Sequence, residues 1–498
     1  MKRFLLTNTV TIVGFAFFAI STVQSVAYAD TTSGGVNWLD PLAYTKPAFY
    51  PIVLPNEATT GNKYYVDMSN GSGSTCSQTA PCSSINSVAG KPGTNGGPAY
   101  IYMKGTGYLS LSNSALAGSV GQEIVVKPWP NDSTPSVMTA QGGCGVNNAN
   151  TIAGSGTHDV VFDGGPNMLF RFIGSGCTSN QNGYSVVVAS NDITLYRVRI
   201  DAHGSSGPAL GAATGSGTST SNFRFINSEL YGATRYYGVY TGGGTGCTAG
   251  DTSHTNMEFR NSIFRQIDGR GIQVEPRSNS SGMIIDGNAF HGVGYDASGT
   301  TGISGAVQIA DACGGTTSGV VVSNNLMWDL GGGGVLIFVG ESTTSAFRVI
   351  NNTIYGYGGA TPVTLNSHGI TCYTDGCKAE VRNNTILAPL NGGINPLNRA
   401  SGFATSNNLC ESGASCGASA LSATASNSFV STSSNSASFL FPAGAALKNG
   451  VLQAGITTDY LGNLRPSTGI DIGAINSGAL LSGPLPIVPN PPTNLVAQ

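Results

Sequence analysis

The chain has 498 residues, of which 9% are charged and 71 are glycine, with a formal net charge of −3. So little charge excludes long helices with charged outer faces, and the acidic balance leaves no basic surplus to hold nucleic acid. A globular chain this long divides into several domains, but a solenoid adds coils without enlarging its cross-section, so one long domain is expected.

Lys2 and Arg3 precede a largely apolar run from Val10 to Ile20, and Ala27-Tyr28-Ala29 supplies small residues before a cut at Asp30. This pattern predicts an export signal over residues 1–29 and a secreted product, extracellular or periplasmic. The apolar run is short and no second span follows, so no membrane anchor is expected. Removing the signal leaves 20 cations against 25 anions, a net of −5. An irregular lead, 30–62, carries Pro47, Pro51 and Pro55. Lys63-Tyr64-Tyr65-Val66-Asp67 then reads as an opening strand, with a short amphipathic helix at Ile85 to Val88. An N-terminal cap is expected there, because an open solenoid end exposes apolar side chains and an unpaired strand edge.

The middle of the chain repeats one degenerate unit, a short alternating strand followed by an Asn-containing pair. The pairs are Asn227-Ser228, Asn261-Ser262, Gly287-Asn288, Asn324-Asn325, Asn351-Asn352, Asn383-Asn384 and Asn407-Asn408. Successive second members lie 34, 26, 37, 27, 32 and 24 residues apart, a drift that suits a coil with loops of variable length. The preceding strands, such as Phe223-Arg224-Phe225, Met257-Glu258-Phe259 and Phe347-Arg348-Val349, put apolar residues on one face and a charge on the other. Strands this short need neighbours at roughly 4.8 Å above and below. An inward Asn at each strand exit is expected to bond the next Asn in a ladder.

Ten cysteines in an exported chain read as disulfides pinning loops. Spacing suggests Cys76 with Cys82, Cys372 with Cys377, Cys410 with Cys416, Cys144 with Cys177, and Cys247 with Cys313. The Ser/Ala-rich piece 411–438 is expected as a loop or loose rung, and Pro484 to Pro492 as a linker.

The strand-and-Asn coils, the Tyr64-Tyr65-Val66 opening and the closing Arg465-Pro466 with Asp471-Ile472-Gly473-Ala474 resemble the right-handed parallel β-helix proteins of the pectate-lyase-like superfamily. The resemblance implies an all-β right-handed parallel β-helix over 63–474, with residues 475–498 as a tail. It leaves chemistry open, because that superfamily holds polysaccharide lyases, glycoside hydrolases, epimerases, esterases and non-catalytic adhesins. The chain lacks the paired-Asp segments of the polygalacturonase-type hydrolases, although Ser367-His368-Gly369-Ile370 resembles their histidine motif. It also lacks the Arg-x-Pro-x-x-Arg segment of pectate lyases.

A polymer on a β-helix lies along the outer face of one sheet. Placing Val239, Ile272, Val274, Val307, Ile309, Ile370 and Cys372 inward leaves Tyr240, Gln273, Glu275, Arg277, Gln308, Thr371 and Tyr373 outward. Arg235, Asp268, Arg270, Asp311, Glu341 and His368 flank them. Such a set suits β-elimination of an acidic polysaccharide, which needs a cation beside the substrate carboxylate, a base, and a donor to the leaving oxygen. Arg270 and Arg277 are the expected carboxylate neutralisers, with His368 or Tyr240 as base or acid. Arg235, Tyr236, Tyr237, Gln273, Gln308 and Tyr373 are expected to bind substrate. Glu275, Asp311 and Glu341 form an alternative Ca²⁺ set. Arg270, Glu275 and Arg277 read equally as a surface ion-pair ladder, Glu275 with Asp311 as a hydrolase pair, and the tyrosines as platforms of a non-catalytic binding solenoid. The sequence does not order the long loop 241–255, which carries Asp251 and His254 and could close over the groove. Arg270 and His368 are both expected outside the core, and the protein is expected as a monomer.

Overall fold

The computed structural model describes residues 50–477 apart from segments 112–115, 142–148, 153–155, 176–182, 203–206, 213–219, 234–236, 243–253, 276–279, 296–304, 311–316, 339–346, 360–366, 373–378, 392–393, 399–402, 412–415 and 434–438. Short strands stack into a first sheet of 12 (Lys63–Asp67 to Phe403–Ser406), a second of 12 (Thr106–Gly107 to Leu421–Ala423) and a third of nine (Asn150–Ile152 to Leu397–Asn398). A fourth, of four two-residue strands, runs from Thr220–Ser221 to Thr317–Ser318. Every strand pairs in parallel with its equivalents one coil away. Glu258–Arg260, for example, lies between Arg224–Ile226 and Ile284–Asp286.

The alternation in the strand sequences sets which face is buried. Phe223, Phe225, Met257, Phe259, Val320, Val322, Phe347 and Val349 are all at most 1% exposed, and they belong to one continuous core. The residues between them point out and are matched across coils: Arg224 faces Glu258, and Arg348 faces Glu380 at 3.2 Å. Inside, Phe264 stacks on Phe290 at 4.9 Å, so the interior carries its own aromatic column along the axis.

The recurrent pair makes the corner between the first and second sheets, and its members divide the work. The first takes a left-handed backbone, with φ of 51° at Asn227, 50° at Asn261, 66° at Gly287 and 53° at Asn324, a conformation that Gly and Asn adopt at least cost. The second turns inward and is fully buried from Ser228 to Asn408. There the expected ladder forms. Asn288 donates its backbone N and Nδ2 to Asn325 Oδ1 at 2.9 and 3.0 Å, and the arrangement repeats from Asn325 to Asn352, Asn352 to Asn384 and Asn384 to Asn408. Serine serves on the first two rungs, where Ser228 N donates to Ser262 Oγ at 3.1 Å and Ser262 N to Asn288 Oδ1 at 3.0 Å.

Both ends of the described chain are tied back onto the coils. Ile85–Val88 is a single 3-10 turn whose Ile85 and Val88 are buried, capped by Ser84 accepting from Asn86 N at 3.2 Å. The lead crosses the outside of the first sheet, where Ile52 and Leu54 pack near Val161, Tyr196 and Ile226. Tyr50 and Asn227 exchange hydrogen bonds of 2.9 and 3.0 Å. Piece 411–438 supplies a true rung, as Leu421–Ala423 pairs with Leu409–Glu411. Beyond it the chain returns along the corner. Arg465, 7% exposed, donates to Asn324 Oδ1 at 2.8 Å and to the carbonyls of Gly473 and Ala474 at 2.9 and 3.0 Å.

The disulfides Cys76–Cys82 and Cys410–Cys416 form as expected. Cys372 is also disulfide-bonded, while Cys144, Cys177, Cys247, Cys313 and Cys377 lie outside the described residues, as does the export signal. Among the described residues no helix is long and apolar enough to cross a membrane.

Candidate functional site

The third sheet carries the expected inward set. Val239, Ile272, Val274, Val307, Ile309, Ile370 and Cys372 are all 0% exposed and in the main core. Between them runs an outward column in strict register, Gly211–Tyr240–Gln273–Gln308–Leu336–Thr371–Asn398. Leu336 is the member the sequence reading passed over. Its middle members are packed, with Gln273 3% exposed, Gln308 4%, Leu336 3% and Thr371 1%, whereas Tyr240 and Asn398 towards its ends are half-buried.

One end of this column holds a coupled set of polar and aromatic side chains. In the strands Tyr237–Thr241 and Arg270–Val274 a Cβ at Gly238 or Gly271 would strike core Ile267 and Phe290 at 2.7 and 2.8 Å. Positions three apart meet across these glycines: Tyr237 stacks on Tyr240, with ring centres 5.2 Å apart at 19°, and Arg270 donates Nη1 to Gln273 Oε1. Gln273 Nε2 in turn donates to Glu275 Oε2 at 2.5 Å. The Arg270 guanidinium lies over the Tyr237 ring at 4.9 Å and is hydrogen-bonded to that side chain.

Arg270 is only 5% exposed, which corrects its expected placement outside the packed interior. Burial pulls its pKa down, and Tyr237, Glu275 and Tyr240 oppose the shift. Tyr184, which the sequence reading missed, is 5% exposed next to Val187 and Ala149. Its hydroxyl is pushed well above the ordinary phenol range, by burial first and then by Tyr240 and Tyr237. No alternation pattern marks it, because it precedes its strand, Val186–Val188.

His368 does not join this cluster. Ile370 pairs with Val335, Val335 with Val307, and Val307 with Ile272, so His368 stands three rungs from Arg270. At ~4.8 Å per rung that is ~14 Å, beyond any shared proton-transfer step. The two intervening rungs have Gly305 and Gly333 at this position. His368 Nδ1 is engaged with the carbonyl of Asn395 at 2.8 Å.

His254 is 0% exposed in the fourth-sheet strand His254–Thr255, and neither ring nitrogen meets a hydrogen-bond partner among the described residues. Burial lowers its pKa to about 4, so it is a neutral interior imidazole and not a residue closing a groove. Loop 243–253, with Asp251, lies outside the described residues, as do Arg235, Tyr236, Arg277, Asp311, Glu341 and Tyr373. Of the expected Ca²⁺ set only Glu275 is described, and among the described residues no group of three His, Cys, Asp or Glu is placed to hold a metal.

Residues 216–410 match the family described as "Right handed beta helix region". Among solved structures the chain is similar to pectate lyase Pel9A, with 17% identity, TM-score 0.50, and 84% of this chain and 97% of that one covered. It is also similar to a rhamnogalacturonan lyase at 14% identity and TM-score 0.43, covering 85% of this chain and 97% of that one. A third is the GH136 lacto-N-biosidase from Eubacterium ramulus, at 13% identity and TM-score 0.42, with 70% and 68% covered. Likeness at these identities concerns the fold alone. No curated protein matches the sequence.

Proposed function

From a right-handed parallel β-helix of the pectate-lyase-like type, we propose a secreted polysaccharide lyase that cleaves an acidic, uronate-containing glycan by β-elimination at the Tyr237–Tyr240–Arg270 end of the third sheet. The observation that carries this reading is Arg270, a guanidinium held in a low-dielectric setting against the Tyr237 hydroxyl. In the reaction the C5–H bond breaks and its electrons form the C4=C5 double bond. The C4–O bond to the leaving sugar then breaks, and that oxygen takes a proton. A guanidinium paired with the substrate carboxylate stabilises the charge that develops on it.

Tyr237 is the base in this reading, since its side chain is hydrogen-bonded to the Arg270 guanidinium at the centre of the cluster. Tyr240, stacked beside it, returns a proton to the leaving oxygen. Gln273 occupies the Arg270 guanidinium in the resting state and yields to the substrate carboxylate. His368, three rungs away, contacts the polymer at a different unit. Glu275, Asp311 and Glu341 remain the proposed Ca²⁺ ligands, and no step is routed through the ion. Secretion rests on the 1–29 segment and the disulfides.

The test is to incubate the mature chain with alginate, polygalacturonate, glucuronan, glycosaminoglycans and neutral glycans, with Ca²⁺ or a chelator. Unsaturated-uronate absorbance and reducing ends are read together. A rise in both on one acidic polymer supports the lyase and names its substrate. Reducing ends alone refute it in favour of hydrolysis by Glu275 with Asp311, and retention without cleavage refutes it in favour of a binding solenoid.

A further inference from the structure

A second constellation lies at the turn leading from the second sheet to the third. Tyr295 donates its hydroxyl to Asp329 Oδ1 at 2.6 Å, and His291 Nε2 lies 3.5 Å from Asp329 Oδ2. His291 is itself stacked on Trp328, one coil on, with ring centres 5.0 Å apart at 13°. The Asp329 side chain is 52% exposed and that of His291 27%, so the group faces solvent, unlike the packed column of the third sheet. The carboxyl is held below the ordinary range, by the His291 hydrogen bond first and by Tyr295 against the opposing effect of burial.

Beside the carboxylate is an apolar surface floored by glycine. A Cβ at Gly359 would lie 2.8 Å from Leu390 Cδ1 and 2.9 Å from the Tyr295 hydroxyl, so both side chains converge over a residue that must have none. A Cβ at Gly356, three residues earlier, would meet Leu390 Cδ2 at 3.6 Å and the Asp329 backbone N at 3.5 Å. Leu390 is 50% exposed, a large apolar side chain left in water.

We propose that Asp329, Tyr295, His291 and Leu390 form a second carbohydrate-binding site, which takes a neutral sugar unit. A carboxylate has about four lone-pair sites, and Tyr295 and His291 occupy two, which leaves acceptors for a pair of adjacent hydroxyls. The apolar face of the ring rests on Leu390 and the edge of Tyr295. A single carboxylate with a phenol and an imidazole is too poor in oxygen for calcium. The negative charge turns away a uronate, so this site selects a different unit from the one proposed for Arg270.

Affinity electrophoresis of the mature chain through gels containing galactan, arabinan, xylan or polygalacturonate tests this. At least one neutral glycan is expected to retard the protein. Asp329→Asn, which keeps a residue tolerant of the left-handed backbone (φ 50° at Asp329), weakens that retention about tenfold, and the surface variant Leu390→Ala weakens it as well. Retardation by polygalacturonate alone, no retardation by any of the four, or retention unchanged in both variants overturns the proposal. Retention is read without cleavage, so an inactive chain that is retarded through Asp329 refutes the lyase and keeps this site, and the opposite result does the reverse.

Discussion

Replacing Asn352 by alanine tests whether the inward ladder holds the coils together. Asn352 Oδ1 accepts from the backbone N and Nδ2 of Asn325 at 3.0 and 2.9 Å, and its Nδ2 donates to Asn384 Oδ1 at 3.0 Å and to the Val322 carbonyl at 2.9 Å. Alanine leaves the Asn325 N–H without an acceptor in a fully buried site, removes one donor from Val322, and opens a small cavity. At about 1–3 kcal/mol for a stranded buried polar group, plus the cavity, the loss is about 3–5 kcal/mol. Serine is the informative comparison, because Ser228 and Ser262 occupy the same position, and Ser262 Oγ accepts the neighbouring backbone N at 3.1 Å. Asn352→Ser is therefore expected to cost about half as much. Urea unfolding followed by circular dichroism and tryptophan fluorescence gives both values, with midpoints compared if the coils unfold in steps. A loss under about 1 kcal/mol for alanine, or a serine variant as damaged as alanine, would refute the argument.

Tyr237→Phe keeps the ring stack and removes the hydroxyl, so kcat is expected to fall at least about 100-fold with little change in thermal midpoint. A variant of unchanged kcat would remove Tyr237 from the proton transfer. Arg270→Ala, by contrast, should lower both activity and midpoint, because it strips a buried cation from Tyr237 and Gln273. His254 predicts a pH dependence. Its imidazole stays neutral in the fold down to about pH 4, while the unfolded chain protonates near 6.5, so the unfolded state binds more protons between those values. The stability it permits is complete above pH 6.5 and declines as pH falls towards 4, by roughly 3 kcal/mol in all. His254→Gln should flatten that part of the stability profile, and an unaltered slope would show that other groups set it. Arg465→Ala frees the carbonyls of Gly473 and Ala474 and the Asn324 side chain. Limited proteolysis is expected to cut near residues 450–477 before the coils, and protection equal to wild type would mean that the return segment is held by its apolar contacts alone.

The coil, its core and its corners were legible in the sequence. A side-chain period of two fixes which residues of Phe223-Arg224-Phe225 face inward, and the recurring pair marks where every strand must turn, whatever the loop lengths do. The close Cys76/Cys82 and Cys410/Cys416 spacings were equally direct. Position along the axis was not, because the drift from 24 to 37 residues between corners hides which residues share a rung. Only stacking separates His368 from Arg270 by three rungs, and only stacking brings Tyr295, Asp329 and His291, from two different coils, around one carboxylate. Burial of the third sheet's outward column was also beyond the pattern. Alternation tells a residue which side of the strand it occupies, but the packing around that side decides whether it meets water, and that is why Arg270, read as lying outside the core, is buried.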